Sequence, residues 1–128
     1  MKKKKEPELE KFDPIDCNVP NVNFSLVSKD DKRWEQFKQQ RLERGFDESE
    51  TWSLDFTIAC FIVPRLEEFI RIYKQCIVDE RGAVAKMESA LEGFKLVKSG
   101  ETVWSDEERE KIEKGLKDFA DIFLGLWW

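Results

Sequence analysis

Residues 52–77 have the sequence WSLDFTIACFIVPRLEEFIRIYKQCI. On a helix of 100° per residue, most of the apolar side chains in this stretch fall on one broad face. That face is predicted to comprise Trp52, Phe56, Ala59, Ile62, Val63, Leu66, Phe69, Ile70, Tyr73 and Ile77. A second apolar strip lies beside it and comprises Leu54, Ile58, Phe61, Ile72 and Cys76. A helix that is apolar over most of its circumference is buried by several neighbours. We therefore expect this helix to be the central helix of the domain or part of an oligomer interface.

The limits of this helix follow from capping and breaking signals. Asp47 and Glu50 have the spacing of a capping box, so the helix is expected to begin there and to run to about Glu80. Pro64 falls on the narrow polar side, and proline inside a helix removes a backbone donor. We therefore predict that the helix is bent at Pro64 or split into two helices near Val63.

The remaining sequence after residue 28 is also helical in pattern. One further helix is expected between a cap at Ser28, Asp30 or Asp31 and a stop at Gly45, one between Gly82 and Ser99-Gly100, and one from the capping box of Ser105 and Glu108. No stretch shows a strand pattern. The predicted fold is therefore all-α, a four- to five-helix bundle with an extended N-terminal arm.

The arm is residues 1–28, and the helical domain is residues 29–128. A lysine run at residues 2–5 and the prolines Pro7, Pro14 and Pro20 prevent an ordinary helix in the arm, so we expect it to be partly disordered. Its apolar residues predict that part of it lies extended across a neighbouring element or subunit. These residues are Phe12, Ile15, Val19, Val22, Phe24, Leu26 and Val27.

The composition excludes several classes of function. The 128 residues include no histidine, which removes Ser-His-Asp catalysis, zinc sites that need histidine, and imidazole pH switches. The net charge of −5 argues against general nucleic-acid binding, which requires a basic face. No segment is apolar over the length that a membrane helix needs, so no membrane partner is expected.

Nucleophiles, metal ligands and cofactor motifs are also poorly represented. Cys17, Cys60 and Cys76 form no CxxC pair, so we interpret them as reduced packing residues in a cytoplasmic protein. Phosphate-binding glycine loops and the nucleophile elbow are absent. Acidic clusters occur, but they lie among basic residues and are interpreted as solvated faces. We therefore predict no enzyme activity, no cofactor and no metal site.

The charged residues in apolar register are the candidates for ligand binding. Asp55 falls inside the broad apolar face, so its carboxyl is expected to be paired, neutral or facing a cavity. Arg65 raises the same question in the second strip. One interpretation is a structural ion pair between helices. The other is a pocket in which arginines bind a phosphate and an aromatic ring stacks on a base. The predicted ligand-binding residues are Arg41, Arg44, Phe46, Trp52, Asp55, Arg65 and Tyr73.

The tryptophan pair Trp127 and Trp128 must also be accommodated. We expect both rings to dock on the core of the chain itself. The alternative is an interface, in which both rings insert into a partner subunit.

The stretch Arg44-Gly45-Phe46-Asp47-x-x-Glu50-Thr51-Trp52-Ser53-Leu54-Asp55 continues through Ala59 to Pro64-Arg65-Leu66. It resembles a family of small uncharacterised proteins of tailed bacteriophages and prophages. The resemblance returns in Gly115-Leu116, Phe119 and Leu126-Trp127. It implies a phage origin and a setting in the cytoplasm of the infected bacterium, and it assigns no activity.

Small phage proteins without enzyme activity often act on the host, and several classes of them disarm defence systems. Our leading hypothesis is a homo-oligomeric helical protein that sequesters a nucleotide-type immune signal. The alternatives are an inhibitor that binds a host defence or metabolic enzyme, and a virion assembly factor.

Overall fold

The computed structural model describes residues 25–79, 81–101 and 103–128. In these residues the chain forms four α-helices and no strand, so the prediction of an all-α fold is confirmed. The helices are α1 (Trp34–Arg44), α2 (Leu54–Cys76), α3 (Ala83–Lys98) and α4 (Asp106–Ile122). Short 3-10 helices cover Glu48–Thr51 and Phe123–Gly125. Most of the predicted arm, residues 1–24, lies outside the described residues.

Pro64 lies inside α2, which is continuous from Leu54 to Cys76. The predicted split near Val63, and with it a fifth helix, is therefore wrong. An interior proline disturbs the carbonyl groups one turn before it. Here the Arg65 guanidinium donates to the Phe61 carbonyl oxygen at 2.9 Å, in the turn that precedes Pro64.

The chain divides into two compact units at the junction of Leu54 and Asp55. In the first unit, Val27, Trp34 and Phe37 form a small buried cluster. In the second unit, α2, α3 and α4 share one core. Its buried residues are Ala59, Val63, Leu66, Ile70, Met87, Ala90 and Phe94, with Phe119, Ile122 and Leu126 packed against them.

The helix ends show which capping signals were correct. Ser105 and Glu108 form the predicted capping box at α4, and Gly45 ends α1 with a φ of 85°. The box of Asp47 and Glu50 is also present, but it caps the 3-10 helix rather than α2. At α1 the cap position is Arg33, without a side-chain capping bond, so the predicted Ser or Asp cap is wrong.

Two glycines bring α3 and α4 close together. A Cβ atom on Gly115 would lie 2.7 Å from the Ser89 carbonyl oxygen and 3.2 Å from the Gly93 Cα. Both glycines are buried. Since any side chain at Gly115 would collide with the backbone of α3, this contact requires glycine.

None of the described helices combines the length and the apolar character that a membrane span requires.

Candidate functional site

Arg41, one of the predicted ligand-binding residues, is enclosed in the first unit. Its side chain is fully buried, and Nη1 lies 2.5 Å from Oδ2 of Asp47, which is also fully buried. The guanidinium carbon lies 4.9 Å from the centroid of the Trp34 ring. The positive charge of Arg41 is therefore matched inside the protein by Asp47.

Asp47 connects three parts of the first unit. Its Oδ1 accepts hydrogen bonds from the Ser49 amide at 2.8 Å and the Ser49 hydroxyl at 2.5 Å. The Ser49 hydroxyl oxygen in turn accepts from the Leu26 amide at 2.9 Å. Through these contacts the Arg41–Asp47 pair joins the segment at Leu26, helix α1 and the 3-10 helix. A buried aspartate paired with an arginine was predicted, but it is Asp47 and not Asp55.

Arg44, Phe46 and Trp52 lie at the surface of the first unit. The Arg44 guanidinium carbon lies 4.3 Å from the Phe46 ring centroid, and Arg44 Nε donates to the Phe46 carbonyl oxygen at 3.1 Å. Trp52 is 47% exposed. The structure thus brings Arg44 and Phe46 together at an accessible position.

The cation beside Trp52 is one that the sequence analysis missed. The Arg33 guanidinium carbon lies 4.9 Å from the Trp52 ring centroid. A bidentate contact with Asp31 holds Arg33 in place, with both distances 2.9 Å. This hydrogen-bonded contact lowers the pKa of Asp31 to about 2. The sequence signal for this contact was the i, i+2 spacing of Asp31 and Arg33 just before an amphipathic helix.

Asp55 and Arg65, in the second unit, are both exposed. Asp55 was expected to be paired, neutral or facing a cavity because of its place on the apolar face, but its side chain is exposed. Because α2 begins at Leu54, Asp55 lies in its first turn, where an acidic side chain complements the helix dipole, and its Oδ1 accepts from the Phe56 amide at 2.8 Å. The Arg65 guanidinium carbon lies 3.9 Å from the Phe61 ring centroid.

Tyr73 is half-buried and stacks on Phe69, with ring centroids 5.8 Å apart. The seven predicted residues are thus divided between the two units, with Arg41, Arg44, Phe46 and Trp52 in the first and Asp55, Arg65 and Tyr73 in the second. Their shared role in binding a ligand stays a prediction.

Residues 123–128, which we call the 123–128 segment, expose large apolar side chains. The exposed fractions are 90% for Leu124, 73% for Trp127 and 60% for Trp128. The prediction that both tryptophans dock on the core of this chain is therefore wrong. Leu126 packs against the core instead, so the segment is attached while its indole rings face outward.

Two of the three cysteines, Cys60 and Cys76, lie in the described residues. Cys60 is buried and its burial raises the thiol pKa, which reduces the nucleophilic thiolate. Cys76 is a free, exposed thiol, and Cys17 lies outside the described residues. No group of three potential metal ligands occurs in the described parts of the chain.

Two acidic residues, Glu67 of α2 and Glu88 of α3, form exposed ion pairs between these helices. Glu67 pairs with Lys95 at 3.4 Å and Lys74 pairs with Glu88 at 2.8 Å, both between α2 and α3. Such pairs add little stability each, but they match the charges of facing helices.

Comparison with protein-family models, with curated proteins and with solved structures finds no match for this chain. The resemblance to phage proteins therefore stays a prediction that rests on the motif at residues 44–66. The structure shows a folding role for several motif residues. Gly45 has the left-handed conformation that ends α1, and Asp47 with Glu50 forms the buried capping box.

Proposed function

We propose that this chain is a non-enzymatic binding protein that docks onto another protein through the 123–128 segment. The observation that carries this proposal is the exposure of both Trp127 and Trp128. A tryptophan buries about 150–250 Å² when it is covered. Since most of this area is left in water here, a partner with a matching pocket gains a large apolar contact. Tryptophan is also enriched among the residues that dominate binding energy at protein interfaces.

The charge around the segment indicates the chemistry of the partner. Helix α4, which leads into it, carries seven acidic and four basic side chains. We therefore propose a partner whose apolar pocket is edged by lysine or arginine side chains. A second copy of this chain is a poor occupant, because it would bring the same acidic helix to the interface.

The predicted phage origin would make the partner a host protein in the bacterial cytoplasm. A protein that occupies an apolar pocket of an enzyme or a defence protein can inhibit it without catalysing a reaction. Virion assembly could use the same segment, and the partner would then be a capsid or tail protein.

Sequestration of a nucleotide-type immune signal by the predicted ligand-binding residues stays a prediction. The geometry favours it less, because Arg41 would have to leave Asp47 before it could bind a phosphate. Removing one member of a buried ion pair costs about 3–5 kcal/mol. Arg44, Phe46 and Trp52 remain accessible to a ligand.

Site-specific photo-crosslinking in the infected or expressing bacterium tests the docking proposal. A photoreactive phenylalanine replaces Leu124 or Trp127 in the full chain, and the matched control carries it at Val103, which is 80% exposed. We expect the same protein to be crosslinked from positions 124 and 127 and not from position 103. Excess wild-type chain should abolish the crosslink, whereas the W127A/W128A variant should not.

The identity of the crosslinked protein decides between the alternatives. A host protein whose capture weakens with added salt supports the proposal, because a basic rim is screened by salt. Crosslinks only to a second copy of this chain, or equal capture from position 103, would overturn it. A crosslink to a virion protein would indicate that the segment functions in virion assembly and not in the inhibition of a host protein.

A further inference from the structure

A cleft of about 530 Å³ lies in the second unit, where the end of α2, the start of α3 and the end of α4 meet. Its size is within the range of about 300–1,000 Å³ typical of small-molecule sites. The wall residues that matter here are Tyr73, Ile77, Arg81, Lys86, Asp121 and Ile122. Of these, only Tyr73 was among the predicted ligand-binding residues.

The charges at the cleft favour an anion. Lys86 Nζ lies 3.1 Å from Asp121 Oδ2, so these two charges are paired. Arg81 has no ion pair or side-chain hydrogen bond within the described residues. The wall residues therefore carry a net positive charge, and the nearby Asp79 carboxylate is bound by the amides of Ala83 and Val84. The Arg81 guanidinium offers a planar pair of N–H donors that matches the oxygens of a phosphate group.

The helix N-terminus beside the cleft does not supply the anion site. The first amides of α3 already donate to the carboxylate of Asp79, from Ala83 at 2.7 Å and from Val84 at 3.2 Å. An anion in the cleft would therefore be bound by the side chains of Arg81 and Lys86.

The opposite part of the wall is apolar and fixed in position. Tyr73 and Ile122 pack against the core of the second unit, and Tyr73 stacks on Phe69. Ile77 adds a further apolar surface at the end of α2. Such a wall is suited to a flat apolar group, and its side chains lose little further freedom on binding.

We propose that this cleft binds a small organic phosphate that carries an aromatic group, of the class of nucleoside monophosphates. Arg81 binds the phosphate, Lys86 contributes a second donor, and the aromatic group lies against Tyr73, Ile77 and Ile122. The wall carries one net positive charge, so a ligand with a single phosphate group matches it better than a di- or triphosphate. The proposal is independent of docking by the 123–128 segment, because it requires neither Trp127 nor Trp128.

Calorimetric titration of the full chain with adenosine monophosphate, inorganic phosphate and adenosine tests this site. We expect adenosine monophosphate to bind with a Kd of about 1 mM or lower. Arg81→Gln should weaken this binding at least about tenfold, since it removes the charge-assisted bonds to phosphate. The control Arg109→Gln changes the same residue type at an exposed position near the start of α4, and it should alter the Kd by less than about twofold.

A second variant tests the role of the ion pair. Asp121→Asn frees Lys86 and removes the negative charge, so it should tighten the binding of adenosine monophosphate by about threefold or more. Circular dichroism of each variant checks that the fold is intact. The proposal is overturned if adenosine monophosphate gives no binding heat, if it binds no more tightly than inorganic phosphate, or if R81Q and R109Q have equal effects.

Discussion

At the scale of single residues, the Arg41–Asp47 pair is the decisive feature of the first unit. Both side chains are fully excluded from water. Moving two charges out of water is costly, and the pair is tolerated because each charge has a partner and Asp47 also accepts bonds from Ser49. The pair explains why a charged residue, Arg41, lies on the buried face of α1.

Removing one charge of this pair should therefore destabilise the protein strongly. We expect Arg41→Met to lower the free energy of unfolding by about 3–5 kcal/mol, because Asp47 is left buried and unpaired. Urea unfolding followed by tryptophan fluorescence measures this change. The control Arg71→Met breaks the exposed pair with Glu68, where water screens the charges, and it should have a much smaller effect. Equal losses in the two variants would show that the Arg41–Asp47 pair is not critical.

Asp31 provides a prediction about pH. The pKa of its carboxyl is lowered to about 2 by the hydrogen bonds from Arg33. A lowered pKa means that the ionised form favours the folded state, so this contribution is present above the ordinary pKa and is lost as the pH falls towards 2. In Arg33→Gln the pKa should rise towards 3.8. NMR titration of the carboxyl carbon measures both values, and an unchanged pKa would contradict the contact.

At the scale of helices, the contact between α3 and α4 depends on Gly93 and Gly115. Small residues let two helix backbones approach closely, and a Cβ atom on Gly115 would lie only 2.7 Å from a backbone oxygen of α3. The flexible end of a side chain could move away, but a backbone carbonyl can shift only with its helix. Gly115 is therefore a packing residue in the middle of α4.

Gly115→Ala should accordingly be destabilising. Overpacking in a core costs about 1–3 kcal/mol, which exceeds the gain of up to about 1 kcal/mol from the higher helix propensity of alanine. Thermal and urea unfolding measure the net loss. Gly125→Ala is the matched control, because nothing lies within 4 Å of a Cβ atom at that position. A G115A variant as stable as G125A would mean that the helices can separate without cost.

The helices themselves could be predicted from the sequence because their ends carry local signals. Gly45 and the box of Ser105 and Glu108 act on their own backbone neighbours, so the sequence is sufficient to find them. Burial was harder to predict. In α1, for example, the charged Arg41 is buried and the apolar Leu42 is exposed. A signal was present, because Arg41 is seven residues after Trp34 and therefore shares its face of the helix.

The candidate sites depended on contacts between distant residues, which hydrophobic periodicity does not encode. Asp55 has the register of the apolar face, but α2 begins only one residue earlier, and its first two side chains are exposed. The cleft at Arg81 combines residues from the ends of three helices. Its charged members look like ordinary surface residues in the sequence, so only the packing of the second unit reveals them.

At the scale of the whole molecule, α2 exposes an apolar surface in addition to that of the 123–128 segment. Ile58 and Phe61 are about half exposed on α2, on the strip that was predicted to be covered by a neighbour or by an oligomer interface. Helix α2 is electrically neutral, with three acidic and three basic side chains. Along α2, Asp55 precedes Ile58 and Phe61 and Arg65 follows them. Antiparallel pairing of two copies would therefore bring opposite charges together at both ends.

We therefore expect the chain to form a dimer through α2, as the sequence analysis predicted for a homo-oligomer. Sedimentation equilibrium should give a concentration-dependent mass between one and two chains. Ile58→Asp should shift the mass to one chain, because it places a charge in the apolar contact. The control Leu124→Asp, in the 123–128 segment, should leave the mass unchanged and abolish only the crosslink to the partner protein. A wild-type chain that is monomeric at all concentrations would instead mean that this strip is covered by another partner.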